Sequence, residues 1–221
     1  MKGNTSEIKL VTGLPVQYYD GQKDELLDAL AGNKVEITLN GKKKEFTITE
    51  VIVFPQSVGL FALNPDAFEG TENLVVDIGG KTVDVSLFDG MDLVKSATYE
   101  LGVLSLYGDL VQRIKSVHNV SYNKLKAENI IKTKTITNNN LPEGKQDVDV
   151  SKLVDEMLSS HVDSIMREVE NDFKEFVTAR RVYIGGGSYL MQNELGLKVR
   201  KDNIFSNALA FYQIGVESFE D

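Results

Sequence analysis

The chain has 221 residues, 42% of them hydrophobic and 26% charged, enough for one sizeable core or two small ones and too apolar for wholesale disorder. Its net charge of −9 repels nucleic acid and anionic lipid, so direct gripping of DNA or a membrane is disfavoured, although DNA can still be reached through an adaptor. With no cysteine and two histidines, His118 and His161, disulfides, thiolate metal sites and a cysteine nucleophile are excluded; without an apolar leader or a run of roughly 20 apolar residues, a soluble cytoplasmic protein is expected.

Lys9 to Thr12 reads as a short strand stopped by Gly13 and Pro15. Lys23 to Leu30 reads as a short helix with Leu26, Leu27 and Leu30 on one face. Val35 to Leu39 alternates, Asn40-Gly41 supplies a tight turn, and Glu45 to Ile48 returns, which predicts a β-hairpin with three lysines at its tip. Val51 to Phe54 is a further apolar strand ending at Pro55.

A second unit begins near Glu72. Leu74 to Ile78, Val83 to Leu87 and a third run from about Leu93 to Tyr99 predict an antiparallel meander with tight turns. Ser105 to about Val117 carries Tyr107, Leu110, Val111 and Ile114 at helical spacing. The stretch 132–150, rich in Thr, Asn, Pro and Gly, reads as an exposed loop. Ser151 is placed to cap a long helix running to about Thr178, buried through Val154, Leu158, Val162, Ile165, Val169 and Phe173, with His161 on its surface. Val182 to Ile184 is a strand that opens through Gly185-Gly186-Gly187-Ser188 into another helix, and Asn207 to Gly215 forms the last apolar helix. The class is α/β.

Two constellations can carry chemistry. Asp77-Ile78-Gly79-Gly80-Lys81-Thr82-Val83-Asp84 puts a carboxylate at the end of a buried strand beside two glycines. Glycines let backbone N–H groups approach a phosphate closely, and the carboxylate can hold Mg²⁺ through its water shell or polarise a water. The plain alternative is an ordinary glycine hairpin with a capping aspartate. The second constellation, Gly185 to Ser188 at a strand-to-helix junction, could support a purine and ribose near a helix N-terminus; the same pattern also serves as a simple turn.

In this order and about a hundred residues apart, the pair resembles the actin, Hsp70 and sugar-kinase superfamily. Pro55-Gln56-Ser57-Val58-Gly59 and Phe205-Ser206-Asn207-Ala208-Leu209-Ala210 are similar to its two connecting segments. Within it, Val11 to Tyr19 and the run EFTITEVIVFPQSVG resemble the plasmid-segregation branch (ParM and StbA type). The resemblance implies an actin-like (ribonuclease H-like) ATPase fold. Residues 1–70 would be the remnant of the first domain and 71–221 the second domain, with an outlying subdomain at about 119–150 and a last helix at 206–218.

The resemblance also assigns roles. Asp77 would be the catalytic and metal-linked carboxylate, and Gly79, Gly80, Lys81 and Thr82 would clip the β- and γ-phosphates. Gln56 would orient the hydrolytic water, and Gly185, Gly186, Gly187 and Ser188 would contact the adenosine. Gly102, Arg113 or Lys115 would reach the ribose or base. The implied cofactors are ATP, with GTP as an alternative, and Mg²⁺. The implied partners are further copies of the chain in a head-to-tail filament and a DNA-binding adaptor, with no direct nucleic acid and no membrane.

One departure bears on activity. The superfamily's N-terminal Asp-x-Gly phosphate hairpin has no counterpart before Lys9, so the reading is an N-terminally truncated chain that binds ATP weakly and does not turn it over. Apolar surface in residues 8–60 would then be exposed. A non-polymerising kinase or chaperone ATPase, or a nucleotide-free interaction module, are the competing readings. A kinase would need an aspartate base aimed at a sugar hydroxyl, and a chaperone would need a substrate domain beyond the last helix.

Overall fold

A computed structural model describes residues 7–58, 60–63, 65–138, 144, 146–198 and 201–219. The first unit is built on β1 (Glu7–Leu14), α1 (Val16–Leu30), β2 (Lys34–Leu39) and β3 (Lys42–Pro55). The strands lie in the order β1-β3-β2, with β1 parallel and β2 antiparallel to β3. Asn40 and Gly41 both adopt positive φ, the backbone that a two-residue hairpin turn requires. Pairing with both neighbours keeps β3 continuous over 14 residues, so Glu45 to Ile48 and Val51 to Phe54 are one strand.

Two expectations shift here. Strand β1 runs through Gly13 because its parallel register with β3 continues to the Leu14–Pro55 pair. Helix α1 starts at Val16, directly after Pro15, whose fixed φ suits a helix entrance. It buries no residue fully, and Leu27 points outward while Leu26 and Leu30 are half-buried. An apolar groove of about 640 Å³ lies between β1 and the last helix, lined by Leu10, Val11, Phe211, Tyr212, Val216 and Phe219 among others.

After α2 (Leu60–Leu63) the second unit opens with β4 (Glu72–Ile78), β5 (Val83–Asp89) and β6 (Asp92–Tyr99), the expected meander. Helix α3 (Val103–His118) follows, then α4 (Ala127–Thr133), β7 (Thr135–Asn138) and β8 (Gln146–Asp149). Next come α5 (Ser151–Asp172), β9 (Arg180–Ile184), α6 (Gly185–Leu190) and α7 (Ser206–Phe219). Strand β9 joins parallel to β4, giving the order β6-β5-β4-β9.

Strand β4 is buried on both faces, which explains its unbroken apolar run. Leu74, Val76 and Ile78 pack with Val83, Val85 and Leu87 against α3 and α5, among them Leu110, Ile114, Val154, Leu158 and Ile165. Val75 faces the other way, with Phe88, Ile184, Leu60 and Phe68. Asp77 and Asp84 share the alternation of Val75 and Phe88, so the β-pleat aims both carboxylates to the side opposite α3 and α5.

Three further expectations are corrected. The described residues of 132–150 include a strand pair rather than only loop: Thr135-Ile136-Thr137 alternates with period two, buries Ile136, and pairs with β8. Residues 139–143 and 145 of that stretch lie outside the described residues. Ser151 is the first residue of helix α5 and Val150 its N-cap; the Asp149 carboxylate, one residue earlier, accepts the Ser151 N–H at 2.7 Å, and the helix ends at Asp172 because Phe173 turns extended (φ −115°, ψ 99°). His161 is buried, not on the surface, because it lies one turn from Leu158 and Ile165 on the apolar stripe. Its Nε2 makes a 2.9 Å hydrogen bond to the Leu101 carbonyl. Among the described residues no helix is long and apolar enough to cross a membrane.

Candidate functional site

The β4–β5 turn and the β9–α6 junction meet because β4 and β9 are parallel neighbours, with Asp77 paired to Ile184. Both elements therefore end on the same edge of the sheet, where chain ends and helix starts create a crevice. A polar cavity of about 360 Å³ occupies that edge. Asp77, Gly79, Gly80, Thr82 and Asp84 line it from one side, Gly185 and Gly186 from another, and Gln56 with Asn207 close it.

The β4–β5 turn is held from behind. Gly79 N–H donates to the Thr82 carbonyl at 2.9 Å. The carbonyls of Gly79, Gly80 and Lys81 accept from Val103, Leu104 and Gly102 N–H groups at 3.1, 2.9 and 3.0 Å, at the entrance to α3. In a trans peptide the N–H of the next residue points opposite to each carbonyl. Binding three successive carbonyls into α3 thus turns the N–H groups of Gly80, Lys81 and Thr82 away from it, on the side where Gly80 and Thr82 line the cavity. Such a run of N–H groups is a nest for an anion.

Gly102 explains its own presence. A Cβ there would lie 2.4 Å from the Lys81 carbonyl carbon and 2.5 Å from the Gly80 oxygen, so only glycine lets α3 dock on the turn. It supports the nest from outside and does not line the cavity. Arg113 and Lys115, further along α3, are also absent from the cavity lining.

Asp77 is 7% exposed. Burial pushes its carboxyl up from the ordinary 3.8 to about 6, opposed by a hydrogen bond from Asn207 and reinforced by the charge of Asp84. The reinforcement follows from register, since Asp77 and Asp84 are directly paired across β4 and β5. Asp84 is itself clamped: Thr98 Oγ1 donates to its Oδ1 at 2.6 Å and Thr82 Oγ1 to its Oδ2 at 3.0 Å. One carboxylate is therefore locked, while the other, at the cavity wall, has its pKa pushed up to about 6, a condition suited to a proton acceptor or a cation-linked group.

Gly185 closes the far side with φ +85°, and a Cβ there would meet Asp77 Oδ1 at 2.4 Å and the Ile78 oxygen at 2.6 Å. The junction can turn into α6 against Asp77 only with glycine. Gly187 and Ser188 are fully covered instead: Gly187 packs on Ile78, and Ser188 Oγ donates to the Gly185 carbonyl at 2.8 Å. They brace the junction and do not reach the cavity. The Lys81 side chain points to solvent, near Glu100 at 3.8 Å, and does not line the cavity.

Two residues without an assigned role complete the wall. Asn207, at the start of α7, donates from Nδ2 to Asp77 Oδ2 at 2.7 Å and accepts the Ser57 N–H on Oδ1 at 3.1 Å. Asn203 donates to the Tyr183 carbonyl at 3.0 Å and accepts from Ser206 Oγ at 2.9 Å. Both stand where the sequence turns from polar to apolar at a helix entrance, the signal by which they could have been found. Among the described residues no group of three or more acidic or histidine side chains could by itself hold a metal ion.

Residues 75–196 match the family described as "Archaeal actin homologue MreB-like, C-terminal", and residues 1–59 match "Actin like proteins N terminal domain". An archaeal actin homolog, Ta0583, solved in complex with ADP, has a similar fold: TM-score 0.79 and 21% identity over 95% of this chain and 73% of that one. A 15-stranded ParM filament from Clostridium botulinum has a TM-score of 0.75 at 20% identity, over 94% of this chain and 66% of that one. The Alp12 filament has a TM-score of 0.66 at 16% identity, over 99% and 70%. Identities this low speak to the fold alone. No curated protein matches the chain.

Proposed function

The chain belongs to the actin-like family of archaeal MreB-like homologues, and from that premise we propose that it binds a nucleoside phosphate in the cavity beside Asp77 and assembles with copies of itself. The observation that carries the reading is the meeting of the Gly79–Thr82 nest, the Asp77 carboxylate and the Gly185–Gly186 backbone around one polar space. In this reading the N–H groups of Gly80, Lys81 and Thr82 take the terminal phosphates, and Gly185 and Gly186 lie along the nucleoside. ATP is the expected nucleotide, with GTP as an alternative.

These residues suit a magnesium nucleotide. Asp77 is a single carboxylate, and Mg²⁺ bound mainly through phosphates and water needs no more than one or two from the protein. The ion would supply charge neutralisation at the phosphates. Asp77, with its carboxyl near 6, holds the ion's water shell or accepts a proton, and Gln56 at the cavity wall orients a water by hydrogen bonding. Hydrolysis in this class depends on placement and charge stabilisation more than on a strong base.

Assembly is head to tail, a heterologous contact that propagates without closing; the ParM and Alp12 filaments of similar fold support it. Residues 1–70 and 71–221 serve as the two domains, and the segment around 119–150 supplies a longitudinal contact. Plasmid segregation through a DNA-binding adaptor is the cellular role that best fits an acidic chain with this fold. Two assays test the proposal. Calorimetric titration with Mg-ATP should give heat that Gly80→Val abolishes, and sedimentation with a non-hydrolysable analogue should give polymer. A titration without heat up to millimolar nucleotide refutes the binding.

A further inference from the structure

One carboxamide links the three-stranded and the four-stranded sheets at the cavity. Asn207 Oδ1 takes the Ser57 N–H at 3.1 Å, and Nδ2 of the same group donates to Asp77 Oδ2 at 2.7 Å. Ser57 follows Gln56, whose own N–H is tied to the Leu14 carbonyl at the end of β1 at 2.8 Å. The bridge therefore runs from the end of the first sheet, through Gln56 and Ser57, to the last residue but one of β4.

Two features make the bridge stiff. Ser57 has φ +71° and is fully buried. A non-glycine residue in the left-handed region is strained unless its surroundings hold it, and here the Asn207 oxygen holds its N–H. On the other side Asp77 cannot swing away from Asn207, because Gly185 sits directly behind Oδ1, with no room even for a Cβ. A displacement at either end must pass through the carboxamide.

We propose that Asn207 is a positioning residue that fixes Gln56 and Asp77 relative to each other across the cavity and transmits a change at Asp77 to the Gln56–Ser57 turn. Asn207 acts through Asp77 and the Gln56–Ser57 turn. Its two hydrogen bonds are of equal use only if one carboxamide makes both, since rotation that lengthens one lengthens the other. The consequence is coupling between Ser57 and Asp77, 20 positions apart in sequence, through one side chain.

The test needs no ligand and so stands apart from the nucleotide reading. Hydrogen exchange of the Ser57 amide is followed by NMR in the wild type, Asp77→Asn, Asn207→Ala and the double variant, with far-UV circular dichroism confirming that each is folded. Asn207→Ala should speed Ser57 exchange about tenfold, the factor for one lost hydrogen bond of ordinary strength. Asp77→Asn should speed it several-fold when Asn207 is present and have no further effect when Asn207 is alanine. If Asn207→Ala does not fold, Asn207→Ser replaces it in the same cycle. Equal effects of Asp77→Asn in both backgrounds, or Ser57 exchange unchanged by loss of the carboxamide, would overturn the proposal.

Discussion

Replacing Asp77 by asparagine removes a charge at nearly unchanged volume; the new carboxamide oxygen can still accept from Asn207 Nδ2, in a weaker, uncharged hydrogen bond. In the folded chain the Asp77 carboxyl is raised from 3.8 to about 6, chiefly by burial. Between those values the folded state holds a proton that the unfolded chain has lost, so raising the pH destabilises the fold. At ~1.4 kcal/mol per pH unit the difference amounts to about 3 kcal/mol by pH 7. Asp77→Asn does not titrate and escapes this loss. Urea unfolding of both proteins at pH 4, 5.5 and 7 reads the effect directly. The two should differ little in pH dependence near pH 4 and diverge as pH rises, with the variant gaining about 1 M in midpoint for an m-value of about 3 kcal/mol per molar. A gap that stays constant, or that widens toward acid, would refute the reasoning, since it would mean that the carboxylate ionises without cost in its place beside Asp84.

Gly185→Ala should cost ~3 kcal/mol or more, because φ +85° and the 2.4 Å approach to Asp77 Oδ1 both resist a side chain; the urea midpoint measures it. Gly21→Ala, in helix α1 with open space around its Cβ position, should instead gain ~0.5–1 kcal/mol in the same assay. Burial lowers the His161 pKa below 6.5, so stability present at neutral pH is lost as pH falls below 6.5 and the unfolded chain binds the proton first. His161→Gln, which keeps an N–H donor for Leu101, should reduce the acid loss between pH 7 and 5. Thermal melts in the Asp77→Asn background isolate this effect, because Asp77 pulls stability in the opposite direction.

Local patterns were readable wherever one face or one run is buried. The apolar run of β4, the glycine turn after Asp77 and the stripe from Val154 to Val169 all follow from burial acting on neighbouring residues. His161 shares that stripe, and its polarity hid it; a histidine can be buried when one carbonyl, here Leu101, satisfies its ring. The β7–β8 hairpin was hidden by its threonines and asparagines, which suit turns and edge strands alike. Sequence alone could not place the Lys81 side chain: the Gly80 and Lys81 carbonyls are bound into α3, and the ammonium reaches solvent beside Glu100. The polar-to-apolar step at the start of α7 marks Asn207 locally, but what it bonds to was out of reach of a local reading. Its partners Ser57 and Asp77 lie 150 and 130 residues away, and only the folded chain places them together.

Proton–nitrogen NMR spectra recorded during addition of Mg-ADP up to a few millimolar test the central claim most directly. The amides of Gly79 to Thr82 together with Gly185 and Gly186 should shift in concert with one dissociation constant, while those of α5 stay in place. Shifts confined to surfaces away from Asp77, or spectra unchanged across the titration, would contradict a nucleotide site between the two glycine turns.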